Sequence, residues 1–311
     1  MGAAVTSKMG PVRSKGPIFA LLRVGEKLAR PLLTRVMANE GIVTNPYVSG
    51  KYIPLQGGAP YFICPREQPP SIRPEDELPV PPRELWEGWG ADYLESGQQD
   101  TATMLRILER AGEDPRCFAR VLDLGCAAGR MLRFFPRPTD AFERWGVDIK
   151  AKHIAWCQQN LSPPLRFATT TTMPHLPFED NYFDLVYCAS VFTHMVELAD
   201  AWLLEILRVL RRRGYAYVTI HDQNTIKILM GKYRNKKDHA PLVNELRRLD
   251  VATGVLNADY AYFAMHTEPR TQVFYNLEYL ARKWSHFGTI VSVNEEAMDY
   301  QTALLVQKFA G

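Results

Sequence analysis

The run Val121-Leu122-Asp123-Leu124-Gly125-Cys126-Ala127-Ala128-Gly129-Arg130 sets a carboxylate inside an apolar stretch and follows it with two glycines four positions apart. Glycine lets a backbone approach a ligand without a Cβ clash. A helix opening after such a loop would offer free amides to an anionic group. A second acid, Asp148, stands 19 residues beyond Gly129. Two ligand classes use this arrangement. A dinucleotide needs G-x-G-x-x-G, and here Ala127 occupies the second glycine position, so that spacing fails. S-adenosylmethionine carries an ammonium, a carboxylate and a cationic sulfonium. Asp123 is placed to neutralise the positive charge, and Asp148 to accept both ribose hydroxyls. A competing reading makes Asp148 the N-cap of a helix over Lys150–Asn160.

Further along, two histidines could act as a base. His194 lies in "SVFTHM", and His221 in "TIHD", where Asp222 could orient it. Imidazoles titrate near neutral pH, and a hydroxyl acceptor needs a base. His194 could equally open a helix, His221 could be a buried ring, and alignment alone could suffice. His175 and His266 read as loop residues. Lys232, Arg234, Lys236 and Lys237 form either a basic lip or a solvated loop.

The elements that must position these groups alternate. Strands are expected over Arg120–Leu124, Trp145–Ile149, Leu165–Ala168, Phe183–Ala189 and Tyr215–Ile220. Helices are expected over Thr101–Ala111, Ala127–Phe135, Lys150–Asn160, Val196–Leu210 and Asn276–Trp284. Such alternation implies a parallel sheet with helices on both faces. Two closing strands, Thr289–Val293 and Thr302–Gln307, are joined too tightly for a crossover and must pair antiparallel if they pair with each other. Residues 222–275 break the rhythm with a charged part and an aromatic part around Tyr260, Tyr262 and Phe263. A loop of that length is usually functional or disordered, and we expect an acceptor lid there.

The remaining composition restricts function. With 311 residues, 46% hydrophobic and 23% charged, the chain suits a globular protein with a large core. A net charge of +3 gives no case for nucleic acid. Five cysteines form no CxxC pair and no metal-like cluster, as expected in a reducing, cytoplasmic compartment. Neither a membrane-spanning run nor a secretory signal is visible. Before residue 40, seven Lys and Arg side chains from Lys8 to Arg35 accompany a loose amphipathic pattern over residues 17–38. That segment reads as a weak membrane-surface contact or as a docking arm on the protein itself. Residues 41–82, rich in Pro and Gly, read as a strap.

Taken together, "VLDLGCAAGRMLRFF", "WGVDI", "LPFEDNYFDLVYCASVFTHM" and "LRVLRRRGYAYVTIHD" resemble the class I S-adenosylmethionine-dependent methyltransferases. The closing "GTIVSVNEEAMDYQTALLVQK" resembles the family's last two strands, and Tyr93-Leu94-Glu95-Ser96-Gly97 a lead-in that reaches the methionine end of the cofactor. The resemblance covers about residues 83–311. It implies a Rossmann-like seven-stranded, mostly parallel sheet with an antiparallel last strand. It implies S-adenosyl-L-methionine contacts at Gly97, Asp123, Gly125, Cys126, Ala127, Gly129, Arg130, Asp148, Ile149, Thr172, Met173 and Ser190, and no metal. Two departures stand out. The family often has glycine where Ala127 stands, and often an acid or amide where Thr171, Thr172 and Met173 stand, so adenine would be met by a threonine hydroxyl or by the Met173 backbone.

These residues lead to an expected division into an arm and strap over 1–82 and a methyltransferase domain over 83–311, with 222–275 as the lid. The expected reaction is methylation of a small-molecule hydroxyl, on a sugar or natural product. The alternative is a non-catalytic S-adenosylmethionine-binding or partner-binding protein of the same fold. An NAD-dependent oxidoreductase is disfavoured by the glycine spacing and the final strand pair.

Overall fold

The computed structural model describes residues 52–53, 62–63, 78–87, 90, 92–136, 142–195, 197–248, 260–267 and 270–310. All of them fall within one compact unit, residues 44–311. A two-residue pair, β1 (Tyr52–Ile53) with β2 (Phe62–Ile63), stands apart from the main sheet. The main sheet is built from β3 (Arg120–Leu124), β4 (Glu143–Asp148), β5 (Arg166–Thr169), β6 (Phe183–Cys188), β7 (Leu210–Ile220), β10 (Gly288–Met298) and β11 (Gln301–Lys308). Its order is β10-β11-β7-β6-β3-β4-β5. The pairs among β3 to β7 are parallel, whereas β11 runs antiparallel to both β7 and β10. The fold is therefore the seven-stranded, Rossmann-like sheet with an antiparallel last strand. The chain leaves β3 outward through β4 to β5, then returns to β6 on the other side of β3. That reversal opens a crevice beyond the carboxyl ends of β3 and β6.

Strand side chains alternate between faces, and each face has its own cover. On one face Val121, Leu185, Tyr187, Tyr217 and Leu305 pack with Met104 and Leu108 of α1 (Tyr93–Arg110) and with Ile154 and Cys157 of α2 (Ala151–Asn160). On the other, Leu122, Val186, Val218 and Leu304 pack with Trp202, Leu203 and Ile206 of α3 (Ala199–Val209). By the same alternation Asp123 belongs to the first face, in line with Val121.

After β7 come α4 (Gln223–Met230), α5 (Ala240–Arg248) and a hairpin of β8 (Tyr262–Thr267) with β9 (Arg270–Tyr275). These elements share a core of their own, with Ile226, Leu229, Leu242, Val243, Leu246 and Met265. The hairpin is also tied to the sheet. His221 and Phe274 form a parallel bridge, and the Tyr275 amide donates to the His221 carbonyl at 2.8 Å. The last helix, α6 (Leu277–Trp284), buries Leu280 and Trp284 against the second face.

Three expectations need correction. Residues 127–135 form turns and one short 3-10 helix, Leu132–Phe134, instead of an α-helix. Left-handed backbone at Ala127 and Gly129 breaks helical propagation there. The helix expected from Thr101 begins at Tyr93, and the one expected over Val196–Leu210 runs over Ala199–Val209. The arm over 17–38 and nearly all of the strap over 41–82 lie outside the described residues.

Candidate functional site

Two acids bracket the loop at the carboxyl edge of the sheet. Asp123 ends its strand beside Gly146 on one side and Tyr187 on the other. Only 3% of it is exposed. Burial pushes its carboxyl up to about 8; the Tyr187 hydroxyl and the Arg130 guanidinium partly oppose that rise, and the Asp148 charge adds to it. Asp148, at the end of β4, accepts the Ala127 amide on Oδ2 and the Lys150 amide on Oδ1, both at 2.8 Å. The N-cap reading of Asp148 is corrected, since Lys150 holds that position and α2 has no side-chain cap. Asp148 instead ties the glycine loop to the entry of α2.

The loop itself is built on positive φ angles: +86° at Gly125, +45° at Ala127 and +76° at Gly129. A side chain at Gly125 would meet Val191 Cγ2 at 2.3 Å, so that position must be glycine on two counts. Ala127 shows why glycine suits its position: the left-handed turn costs an alanine about 1–2 kcal/mol, here offset by the Asp148 bond to its amide. Cys126 turns its thiol into the core beneath the loop, where burial raises its pKa well above the ordinary value. Its amide donates to the Val147 carbonyl at 3.1 Å. Gly129 faces Leu161 and Phe167.

Arg130 is buried and turns its side chain to α1. Its guanidinium pairs with Asp100 at 2.8 Å and donates to Ser96 Oγ at 3.2 Å, clamping α1 to the loop. Gly97 belongs to the same clamp, because a Cβ there would lie 2.5 Å from the Arg130 carbonyl oxygen. Asp100 was not singled out in the sequence. Ser96 and Asp100 share a helix face by their i, i+4 spacing, but nothing local announces a partner 30 residues away.

On the far side of the crevice Ser190 follows β6 with φ +58°. Its amide donates to Thr219 Oγ1 at 2.7 Å, Thr219 Oγ1 donates to Gln301 Oε1 at 2.7 Å, and Gln301 Nε2 donates back to Ser190 Oγ at 3.0 Å. This ring of bonds joins β6, β7 and β11 and holds Ser190 in its turn. Ile149 is half-buried after β4. Thr172 and Met173 are exposed, Met173 by 60%, and the Thr172 carbonyl accepts from Trp202 Nε1.

The two histidines differ sharply. His194 lies in the 3-10 turn Phe192–His194, and its Nδ1 meets the Thr271 carbonyl at 2.7 Å. A carbonyl accepts only, so Nδ1 carries the hydrogen and Nε2 the lone pair. His221 is 1% exposed and lies against the rings of Phe274 and Tyr300, at 4.9 and 5.5 Å. Burial, helped by the nearby His194, pulls its pKa down to about 3. Asp222 does not orient it. Its Oδ1 accepts the Thr225 amide at 2.9 Å in a capping box that starts α4.

This arrangement suits a cationic ligand with a diol. A buried carboxylate that burial drives toward neutrality gains most from a positive charge brought beside it, and Asp148 keeps lone pairs beyond its two backbone bonds. Residues 122–218 match a family model described as a methyltransferase domain. This stretch is a methyltransferase domain, and the sheet around it has the fold of the class I S-adenosylmethionine-dependent methyltransferases. S-adenosylmethionine is the cofactor of that family. Over 108 residues the chain is 30% identical to phthiotriol/phenolphthiotriol dimycocerosates methyltransferase 1 of Mycobacterium ulcerans, covering 34% of this chain and 40% of that protein. Over 165 residues it is 26% identical to probable phthiotriol/phenolphthiotriol dimycocerosates methyltransferase 2 of the same organism, covering 44% and 64%. The chain thus spans 40% and 64% of the length of these curated relatives. It is also similar to the crystal structure of 1,6-didemethyltoxoflavin-N1-methyltransferase from Burkholderia thailandensis, with a TM-score of 0.44 and 14% identity over 83% of this chain and 99% of that one. Among the described residues, no helix is long and apolar enough to cross a membrane.

Proposed function

We propose that this methyltransferase moves a methyl group from S-adenosylmethionine to a hydroxyl of a small molecule. The observation that carries the proposal is the shared sheet edge. Asp123 and Asp148 end neighbouring strands β3 and β4 around the glycine loop, and His194 follows the next strand, β6, on the other side. Bound S-adenosylmethionine supplies a methyl carbon activated by its sulfonium. Asp123 then faces the cationic end, and Asp148 accepts the ribose hydroxyls. Gly125, Ala127 and Gly129 shape the floor, while Ile149, Thr172 and Met173 border the adenine side and Ser190 lies across the crevice after β6. His194 would take the acceptor proton on Nε2 as the methyl group passes to the acceptor oxygen, leaving S-adenosylhomocysteine. The Thr271 carbonyl holds the ring in the required tautomer. His221 serves better as a wall than as a base, because burial keeps it neutral and weakly basic.

Within residues 222–275, β9 lies against this edge, through the bond from the Tyr275 hydroxyl to the Met195 carbonyl at 2.6 Å and the His194 contact with Thr271. That position supports the lid reading. The names of the two Mycobacterium ulcerans relatives specify phthiotriol and phenolphthiotriol dimycocerosates. A triol supports a hydroxyl acceptor and brings lipid-like alcohols within the class to be tried. The test is incubation with methyl-labelled S-adenosylmethionine and fractionated sugars, natural products and lipid alcohols. An O-methylated product together with S-adenosylhomocysteine is expected. Tight S-adenosylhomocysteine binding with no labelled product from any fraction would favour a binding protein instead.

A further inference from the structure

Glu87 precedes α1 and sits far from the loop in sequence, yet it reaches the entry of α2. Its carboxylate pairs with the Lys150 ammonium and, at 2.6 Å, with His153 Nε2. All three side chains are largely withdrawn from water, with 17%, 19% and 4% exposed. Burial works against the Glu87 charge, but hydrogen bonds from His153 and Lys150 outweigh it and hold the carboxyl well below the ordinary carboxylate range. Glu87 also adopts φ +57°, a conformation costly for any residue with a Cβ. Such strain persists only where the surroundings over-determine it.

The consequence lies one residue pair away. Lys150 donates its backbone amide to Asp148 Oδ1 at 2.8 Å. The carboxylate assigned to the ribose therefore lies at the root of the Lys150 side chain, within reach of its four-carbon stem. An unclaimed ammonium there would pair with Asp148 and occupy the lone pairs that the two hydroxyls need. We propose that Glu87 is a positioning residue for the cofactor site, which holds the Lys150 ammonium aside and so leaves the Asp148 carboxylate open to the ribose diol. This rests on the reading of Asp148 as the ribose acceptor.

Titration of S-adenosylhomocysteine into the full chain tests it. Glu87→Gln is expected to weaken binding about tenfold, within the range of coupled neighbouring charges. Adding Lys150→Met removes the competing ammonium and is expected to bring affinity back to within about threefold of the parent. Lys150→Met alone is expected to bind like the parent, and Glu87→Asp, which keeps the charge, to lose much less than Glu87→Gln. The double variant separates the mechanism from a general loosening of the fold, which a second substitution would not repair. Unchanged affinity in Glu87→Gln overturns the proposal, as does a weakened Glu87→Gln that Lys150→Met fails to rescue. Should Glu87→Gln not fold, Glu87→Ala with and without Lys150→Met, which likewise removes the charge that claims the ammonium, decides on the same terms. Asp148→Ala keeps the two ideas apart: full affinity there removes the ribose reading and this proposal with it, whereas lost affinity there with an indifferent Glu87→Gln removes this proposal alone.

Discussion

Asp123 and Tyr187 stand opposite each other in adjacent parallel strands, both withdrawn from water near the carboxyl edge of the sheet. With burial lifting the Asp123 pKa to about 8, the ligand-free protein holds a proton there at neutral pH. A ligand bringing a sulfonium or ammonium beside it should draw that pKa down. We expect S-adenosylmethionine binding at pH 7 to release a proton. Calorimetry in two buffers of different ionisation enthalpy reads this directly, and identical heats in both would remove the Asp123 contact with the cationic end.

The same group sets a stability trend. Its folded pKa lies above the ordinary 3.8, so the folded state holds the proton more tightly than the unfolded chain. Its contribution is present below about pH 4 and is lost as pH rises toward about 8. Asp123→Asn removes that loss. The variant should melt above the parent at pH 8, with the gap closing toward pH 4, while binding S-adenosylmethionine more weakly. A constant gap across that window would argue against a titrating Asp123.

Gly125 allows a sharper packing test. Gly125→Ala places a methyl on left-handed backbone and against Val191. The backbone cost is about 1–2 kcal/mol and the overlap adds about 1–3 kcal/mol. Adding Val191→Ala should recover the overlap and leave the backbone cost. Denaturant melts of both singles and the double variant give the coupling. No coupling between the two sites would mean that the loop relaxes away from Val191.

Asp148→Ala should weaken S-adenosylhomocysteine binding by about 2–4 kcal/mol, the loss of a charged acceptor for two hydroxyls. Because Asp148 also holds the Ala127 and Lys150 amides, the melting temperature should fall as well. Asp148→Asn, which keeps one acceptor oxygen and the side-chain volume, should soften the second effect more than the first. Equal recovery of both would assign Asp148 to the loop alone.

The histidines are distinguished by turnover against stability. His194→Ala should lower kcat by about 10²–10⁴-fold and leave S-adenosylhomocysteine affinity unchanged. His221→Phe keeps a ring between Phe274 and Tyr300 and should retain turnover within about tenfold. Since the His221 pKa is depressed to about 3, its neutral form stabilises the fold above about pH 6.5, and that contribution is lost as pH falls toward 3. His221→Phe should therefore resist acid better than the parent in that window. A turnover collapse in His221→Phe with an intact fold would return the base to His221.

Much of this architecture was legible in the residues themselves. The apolar runs at Leu122, Val186 and Val218 mark strands buried on both faces, and the tight connection before Thr302 requires an antiparallel final pair. The two acids stand out because a carboxylate in an apolar run has to be explained by chemistry, whatever the surrounding fold. Other features depend on distance in space and leave no local trace. Arg130 reads as a loop residue until Asp100 and Ser96 claim its guanidinium from another helix. Residues 127–135 have apolar spacing that suits a helix, but the Asp148 bond to Ala127 and two positive φ angles stop it. His221 and His194 look alike along the chain, both after strands at one sheet edge. Only packing separates them: Phe274 and Tyr300 enclose the first, while the Thr271 carbonyl on the returning hairpin sets the tautomer of the second. Periodicity and composition report what each segment buries, and burial of a whole strand is a local property. Which charge meets which, and which imidazole is buried among rings, are decided by side chains brought together from tens of residues apart.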